Sequence, residues 1–378
     1  MVHFGFLSSY PPTRCGLATF TESLISALVS AGGADARIVR VFDASPLQPM
    51  TMLGAHAAIA ADLIGGDRVS MAATIGALNS CEIAIIQHEY GIYGGPDGDE
   101  VVEVLQGLTV ASIVVLHTVL VDPTAHQREI LRDVCQLASE VVVMTEIARD
   151  LLIAEYDVEA IKVNIIPHGV PEWAETTASR PHTTRRVLTW GLISPGKGIE
   201  WGIRAMAQLG DLGRSIEYVA AGQTHPKVLA HSGESYREML LDLAAELDVE
   251  SVVTIDGRYR DRAELAELVR SADVVLLPYE SRDQATSGVL AEAVAAGIPV
   301  VATEFPHAVE LLSGGAGLIV AHEDPAAIAA ALRRVLMGSG TANAMRSAAR
   351  RDSANTSWPV VASKYRLLSE RLIARAAA

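Results

Sequence analysis

Short runs of branched apolar residues alternate with helical segments along almost the whole chain, and this alternation restricts the fold more than any other feature. Strands with a helix between each pair are joined by crossovers, so their sheets are parallel and covered on both faces. In the first half, strands are read at Val2 to Leu7, Ala36 to Val41, Ile83 to Gln87, Ser112 to His117, Glu140 to Met144 and Lys162 to Ile166, with a helix over Phe20 to Ala31. Pro167-His168-Gly169-Val170 turns the chain, and the polar stretch from Pro171 to Thr184 reads as a linker. A second series is read at Arg186 to Trp190, Ser215 to Ala220, Val252 to Asp256, Val274 to Pro278, Val300 to Thr303 and Gly317 to Val320. Two series of similar rhythm in 378 residues predict two Rossmann-like α/β domains facing each other across a cleft. Their expected limits are 1–170 and 185–358, with a linker over 171–184. The tail is expected to be helical, because Trp358, Val361, Tyr365, Leu368 and Leu372 recur at helical spacing.

Half of the residues are hydrophobic and only 5% are aromatic, so the core is built from Ala, Val, Leu and Ile. The net charge is −15 and no Lys/Arg cluster stands against it, which argues against nucleic acid and against anionic membrane surfaces as partners. The longest apolar run, Val110 to Val121, contains His117 and is too short to span a bilayer. Cys15, Cys81 and Cys135 form neither a zinc pattern nor an even disulfide framework. The chain enters its first strand with no basic region or cleavage site before it, so a cytoplasmic location is expected. The sequence leaves homo-oligomerisation open.

The stretch from Gln284 to Phe305 carries the chemistry. Thr286, Ser287 and Gly288 open a helix whose apolar face includes Val289, Leu290, Ala293 and Val294. Gly297 ends it before a buried strand. Small residues at a helix N-terminus let an anion reach free backbone N–H groups at the positive end of the dipole. An ordinary α/β loop capped by Ser and Gly would look the same. This stretch resembles the retaining glycosyltransferases of family 4, whose hallmark is a Glu, seven residues and a second Glu. The second carboxylate is Glu292; the first position holds Gln284, an amide that keeps hydrogen bonding but lacks the charge. Glu280 and Asp283 are nearby substitutes.

Further segments match the family in order. Tyr10-Pro11-Pro12-Thr13-Arg14-Cys15-Gly16-Leu17 resembles its N-terminal glycine loop, which places Gly16 at the donor and Arg14 at the acceptor or a phosphate. Trp190 to Gly198 resembles its Gly-Arg…Lys-Gly loop, with Gly191 and Lys197 retained and Leu192 at the Arg position; Arg14 or Arg282 would then compensate. Lys197 is one of four lysines, the others being Lys162, Lys227 and Lys364. The apolar strand ending in His117 matches the histidine that faces the donor sugar. Gln87-His88-Glu89-Tyr90 closes another strand, where α/β proteins bind ligands. Acceptor recognition and a structural loop are both open for it. Asp256-Gly257-Arg258-Tyr259 resembles the segment beside the nucleotide ring. Thr356-Ser357-Trp358 resembles the element that precedes a terminal helix, here 359–378, crossing back onto the first domain. Asp97-Gly98-Asp99 has metal-binding spacing but lies in a Gly/Pro loop.

The resemblance implies the GT-B fold and a retaining hexosyltransferase that needs no metal or other cofactor. Its partners would be a nucleotide sugar and a glycan acceptor in polysaccharide biosynthesis, with GDP-mannose the first donor and UDP-glucose the second. The implied catalytic residues are His117, Lys197 and Gln284. The implied donor contacts are Gly16, Gly191, Lys197, Arg258, Tyr259, Thr286, Ser287, Gly288, Val289 and Glu292. Arg14, His88, Glu89 and Tyr90 would meet the acceptor. Gln284 and Leu192 depart from the pattern, and they keep open a non-catalytic relative that binds nucleotide sugar or glycan and regulates a partner.

Overall fold

The computed structural model describes residues 1–43, 57–173 and 184–376. They form two units, one of Met1–Gly169 with Thr356–Ala378 and the other of Val170–Asn355. Most of the linker read at 171–184 lies outside the described residues.

In the first unit seven strands form one sheet: β1 (Val2–Ser8), β2 (Ala34–Phe42), β3 (Ala58–Ile64), β4 (Ile83–His88), β5 (Ala111–Leu116), β6 (Glu140–Val143) and β7 (Val163–Ile165). Their order is β3-β2-β1-β4-β5-β6-β7 and every pairing is parallel. In the second unit six strands follow: β8 (Arg185–Trp190), β9 (Ile216–Ala221), β10 (Val253–Asp256), β11 (Val274–Leu277), β12 (Val300–Thr303) and β13 (Gly317–Val320). These run β10-β9-β8-β11-β12-β13, again all parallel. Central strands read as unbroken apolar runs because both faces are covered; every residue of β11 is buried. Each sheet reverses its winding once, between β1 and β4 and between β8 and β11. Crevices at such switch points, outside the carboxyl ends of the strands, are where open α/β sheets take ligands.

Two elements differ from the sequence reading. Strand β3 was not anticipated, because AIAADLI lies at a sheet edge, stays partly exposed and carries Asp62. That aspartate pairs with the buried Arg40 of β2 at 2.7 Å, so a charge breaks the apolar pattern for a structural reason. The first helix spans Gly16–Ser30, beginning four residues before Phe20, because Cys15 Sγ accepts a hydrogen bond from Ala18 N–H and caps it.

The terminal helix Trp358–Ala376 belongs to the first unit. Val361, Tyr365, Leu368 and Leu372 share a core with Phe4, Phe6, Phe20 and Leu24. Arg366 donates to the carbonyls of Leu28 and Gly32 at the end of the first helix, and Arg375 reaches Glu140 at 3.1 Å. The helix starts against an aromatic group in which Trp358 lies 5.0 Å from Phe20 and 6.0 Å from His168, centroid to centroid. Gly169 lets the indole in, since a Cβ there would lie 2.2 Å from Trp358 Cε3. Gly169→Ala is therefore expected to destabilise the protein by about 1–3 kcal/mol. Gly340→Ala, in a helix with open space around it, is expected to be neutral or stabilising. Thermal melts of the two variants check this, and equal midpoints would contradict it.

Candidate functional site

In the second unit the sequence-predicted donor residues gather at the β8/β11 switch point. The loop after β8 carries Gly191 and Lys197; the loop after β11 carries Gln284, Thr286 and Ser287, then the helix Gly288–Ala295 with Val289 and Glu292. A methyl at Gly191 would lie 3.6 Å from Val289 Cγ2, so the two loops face each other. They are also fastened: Glu280 N–H donates to the Gly196 carbonyl at 3.0 Å. Gly198 has φ +63° and sits against the Pro278 carbonyl, where a Cβ would come within 1.8 Å of the oxygen.

The helix N-terminus is partly capped from within. Ser287 Oγ accepts from Leu290 N–H at 3.2 Å, and Ser287 N–H donates to His307 Nδ1 at 2.8 Å. This leaves the N–H groups of Gly288 and Val289 uncommitted among the described residues. Gln284 turns its amide inward and donates to the Thr286 carbonyl, which shapes the loop. Glu292 lies half-buried on the same helix. Burial pushes its carboxyl up to about 7, against a hydrogen bond from Trp190 and the charge of Arg262. Lys197 places Nζ 4.3 Å from the centre of the Tyr279 ring. Arg258 and Tyr259 lie on a third loop: both are exposed after the edge strand β10, and Arg258 pairs with Asp256 at 2.9 Å. That pairing, with Arg260, holds the Asp256 carboxyl well below the usual range. A recess of about 680 Å³ lies elsewhere in the unit, between Gln208, Ala329, Arg333 and Met337, and holds none of these residues.

The first unit assembles a second group at the ends of β4 and β5. His117 Nε2 lies 2.7 Å from Gln87 Oε1, and its ring meets Phe20 edge-on at 4.8 Å. Burial, then the neighbouring His168 and His88, push His117 down to about 3. His88 is wholly buried, both ring nitrogens lack partners among the described residues, and burial holds it at about 4. His168 is likewise held at about 4 by burial, opposed by its hydrogen bond to the Gly169 carbonyl. The Glu89 carboxylate is engaged by Thr118 Oγ1 at 2.5 Å and Tyr90 N–H at 3.1 Å, and Tyr90 donates to the Gln127 carbonyl. Burial raises the Glu89 carboxyl above its ordinary value. Arg14 and Gly16 are exposed in and just beyond the loop that follows β1. Asp97 and Asp99 gather round His126, with Asp97 Oδ2 at 3.1 Å.

Tyr279 and His307 in the second unit and His168 in the first also touch these groups and had no role in the sequence reading, which quoted Trp190 and Gln87 within matched segments and gave them no contact of their own. His307 follows Ser287 by twenty residues and gives no spacing signal. Tyr279 could have been noted as an aromatic closing a buried strand.

Residues 184–337, most of the second unit, match the family described as Glycosyl transferases group 1. Sucrose-phosphate synthase from Thermosynechococcus elongatus superposes with a TM-score of 0.78 at 18% identity, over 99% of this chain and 100% of its own. The fold is GT-B. HepE from Anabaena, solved in complex with UDP-glucose, gives a TM-score of 0.75 at 16% identity over 98% of this chain and 100% of its own. In sequence, the D-inositol 3-phosphate glycosyltransferase of Kineococcus radiotolerans is 31% identical over 61% of this chain and 57% of its own length. That of Salinispora arenicola is 29% identical over 58% and 52%. This chain thus spans little more than half the length of these relatives.

His88, His117 and His168 of the first unit set a pH dependence. Their folded values lie below the ordinary 6.5, so the unfolded chain takes up their protons first. Their contribution is fully present above about pH 6.5 and is lost as pH falls through about 4. Glu89 and Glu292 act in the opposite sense. Melting midpoints are expected to fall from pH 6.5 to 4.5, and His88→Leu, which removes one buried titrating group, is expected to flatten the fall. An equal slope in the variant would contradict this.

Proposed function

We propose that this protein is a retaining hexosyltransferase that takes its sugar from a nucleoside-diphosphate donor held at the β8/β11 switch point. The observation that carries the reading is the convergence there of two uncommitted helix N–H groups, an ammonium and a half-buried carboxylate. The first two suit a diphosphate and the last suits ribose hydroxyls. The group 1 match over 184–337 supports the same assignment. The acceptor is assigned to the loops after β1 and β4 in the first unit, with His117 orienting the transferred sugar.

The chemistry is a front-face substitution. The acceptor oxygen bonds to the anomeric carbon as the bond from that carbon to the diphosphate oxygen breaks. The acceptor proton passes to the departing oxygen. Charge grows on the leaving group, so Lys197 and the helix N-terminus lower the barrier. With Leu192 where the family carries Arg, Lys197 and the amides carry that load, and no metal takes part. For the sugar, the resemblance points to GDP-mannose and a mannoside acceptor. UDP-glucose is the second reading, because HepE binds it on a closely similar fold.

Release of nucleoside diphosphate, measured with GDP-mannose and UDP-glucose and with oligomannosides present or absent, tests the proposal. Turnover is expected with one donor, unchanged in excess EDTA. Lys197→Ala is expected to lower turnover more than donor affinity, since its contact strengthens in the transition state. Turnover that EDTA abolishes and Mg²⁺ restores would contradict the metal-free mechanism. Donor binding without turnover would favour the non-catalytic relative.

A further inference from the structure

Among the described residues no carboxylate neutralises Lys197. Arg186, Arg237, Arg258 and Arg333 are each paired with an acid, whereas no ion pair of Lys197 is found among the described residues. Glu280, whose N–H meets the Gly196 carbonyl, and Glu200, in the helix that follows Gly198, are engaged elsewhere. Glu280 Oε1 accepts from Trp201 Nε1 at 2.9 Å, and Glu200 Oε2 accepts from the Tyr236 hydroxyl at 2.6 Å. What holds the Lys197 ammonium is the Tyr279 ring, 4.3 Å away.

That ring is itself fixed. Tyr279 is 2% exposed and stacks on Phe305 at 5.2 Å with 23° between planes. Its carbonyl accepts from Thr303 Oγ1 at 2.7 Å and from His322 Nδ1 at 2.8 Å. Its buried hydroxyl has no partner among the described residues, so the side chain acts through its face and not its oxygen.

We propose that Tyr279 is a positioning residue for donor turnover: its ring holds the Lys197 ammonium in place and still charged for the diphosphate. The proposal rests on the donor-site reading above. A carboxylate in the same place would also anchor a flexible lysine, but it would cancel the charge, and a phosphate would have to displace it. A ring quadrupole attracts the cation and leaves its full charge for an incoming anion. It also spares the donor the cost of ordering a long side chain on binding.

The test uses the intact protein and two variants, Tyr279→Phe, which keeps the face, and Tyr279→Leu, which keeps apolar bulk without it. With only four lysines, ¹³C-dimethylation gives few signals, and Lys197→Arg identifies the relevant one. An upfield ring-current shift of that signal is expected in the wild type and in Tyr279→Phe, and its loss in Tyr279→Leu. Nucleoside-diphosphate release is expected to stay within about twofold in Tyr279→Phe and to fall roughly three- to thirty-fold in Tyr279→Leu, mainly in kcat. Tyr279→Leu turning over like the wild type overturns the proposal. So does a wild-type Lys197 signal without the shift, a result that needs no variant to fold. A wild type that shows the shift but neither binds nor turns over a nucleotide sugar overturns the donor reading, and the role with it, while the contact stands.

Discussion

The packing of Gly198 against the Pro278 carbonyl holds the second unit's site together. No side chain fits there, and the hydrogen bond from Glu280 to Gly196 closes the same joint. The loops after β8 and β11 are thereby tied to one another at the point where the sheet reverses its winding. Lys197 comes from one loop. The helix that opens at Gly288 comes from the other. The proposed anion-binding pair, drawn from two distant stretches of sequence, needs such a joint, because each loop alone presents only half of it.

The site's electrostatics follow from what it lacks. Leu192 gives no charge, Gln284 gives no charge, and the protein as a whole is strongly acidic. A diphosphate would meet few cations here, so uncommitted backbone N–H groups and one un-neutralised lysine must do the stabilising. Glu292, held near 7 by burial, suits a partner that supplies hydroxyl donors, since it can accept from them without a full buried charge at every pH. In the first unit burial keeps His88, His117 and His168 neutral, so His117 and His168 act through hydrogen bonds and none of the three binds anions by charge.

Much of this was legible in the sequence, for a physical reason. Parallel strands covered on both faces are continuous apolar runs, and runs such as Ile83 to Gln87 and Val300 to Thr303 can be read directly. Strand β3 escaped because this edge strand carries Asp62, and its partner Arg40 is 22 residues away. That Lys197 lies in the loop after a strand, and Ser287 and Glu292 at the start of and within a helix, was legible because small residues, a helix start and a rare lysine coincide within short windows. Tyr279, Phe305 and His307 were not, because stacking and a backbone-to-imidazole bond depend on tertiary approach and leave no period in the chain. The burial of His88 was also hidden, since a histidine closing a strand reads alike whether it faces a ligand or the core.

The central claim is that a nucleoside diphosphate binds where β8 and β11 part. A crystal structure of the protein with GDP or UDP tests it most directly. The account predicts phosphate oxygens within hydrogen-bond distance of the Gly288 and Val289 N–H groups and of Lys197 Nζ, with the ribose hydroxyls on Glu292. A nucleotide bound at the loops of the first sheet, or one that leaves Glu292 and Lys197 untouched, would contradict it.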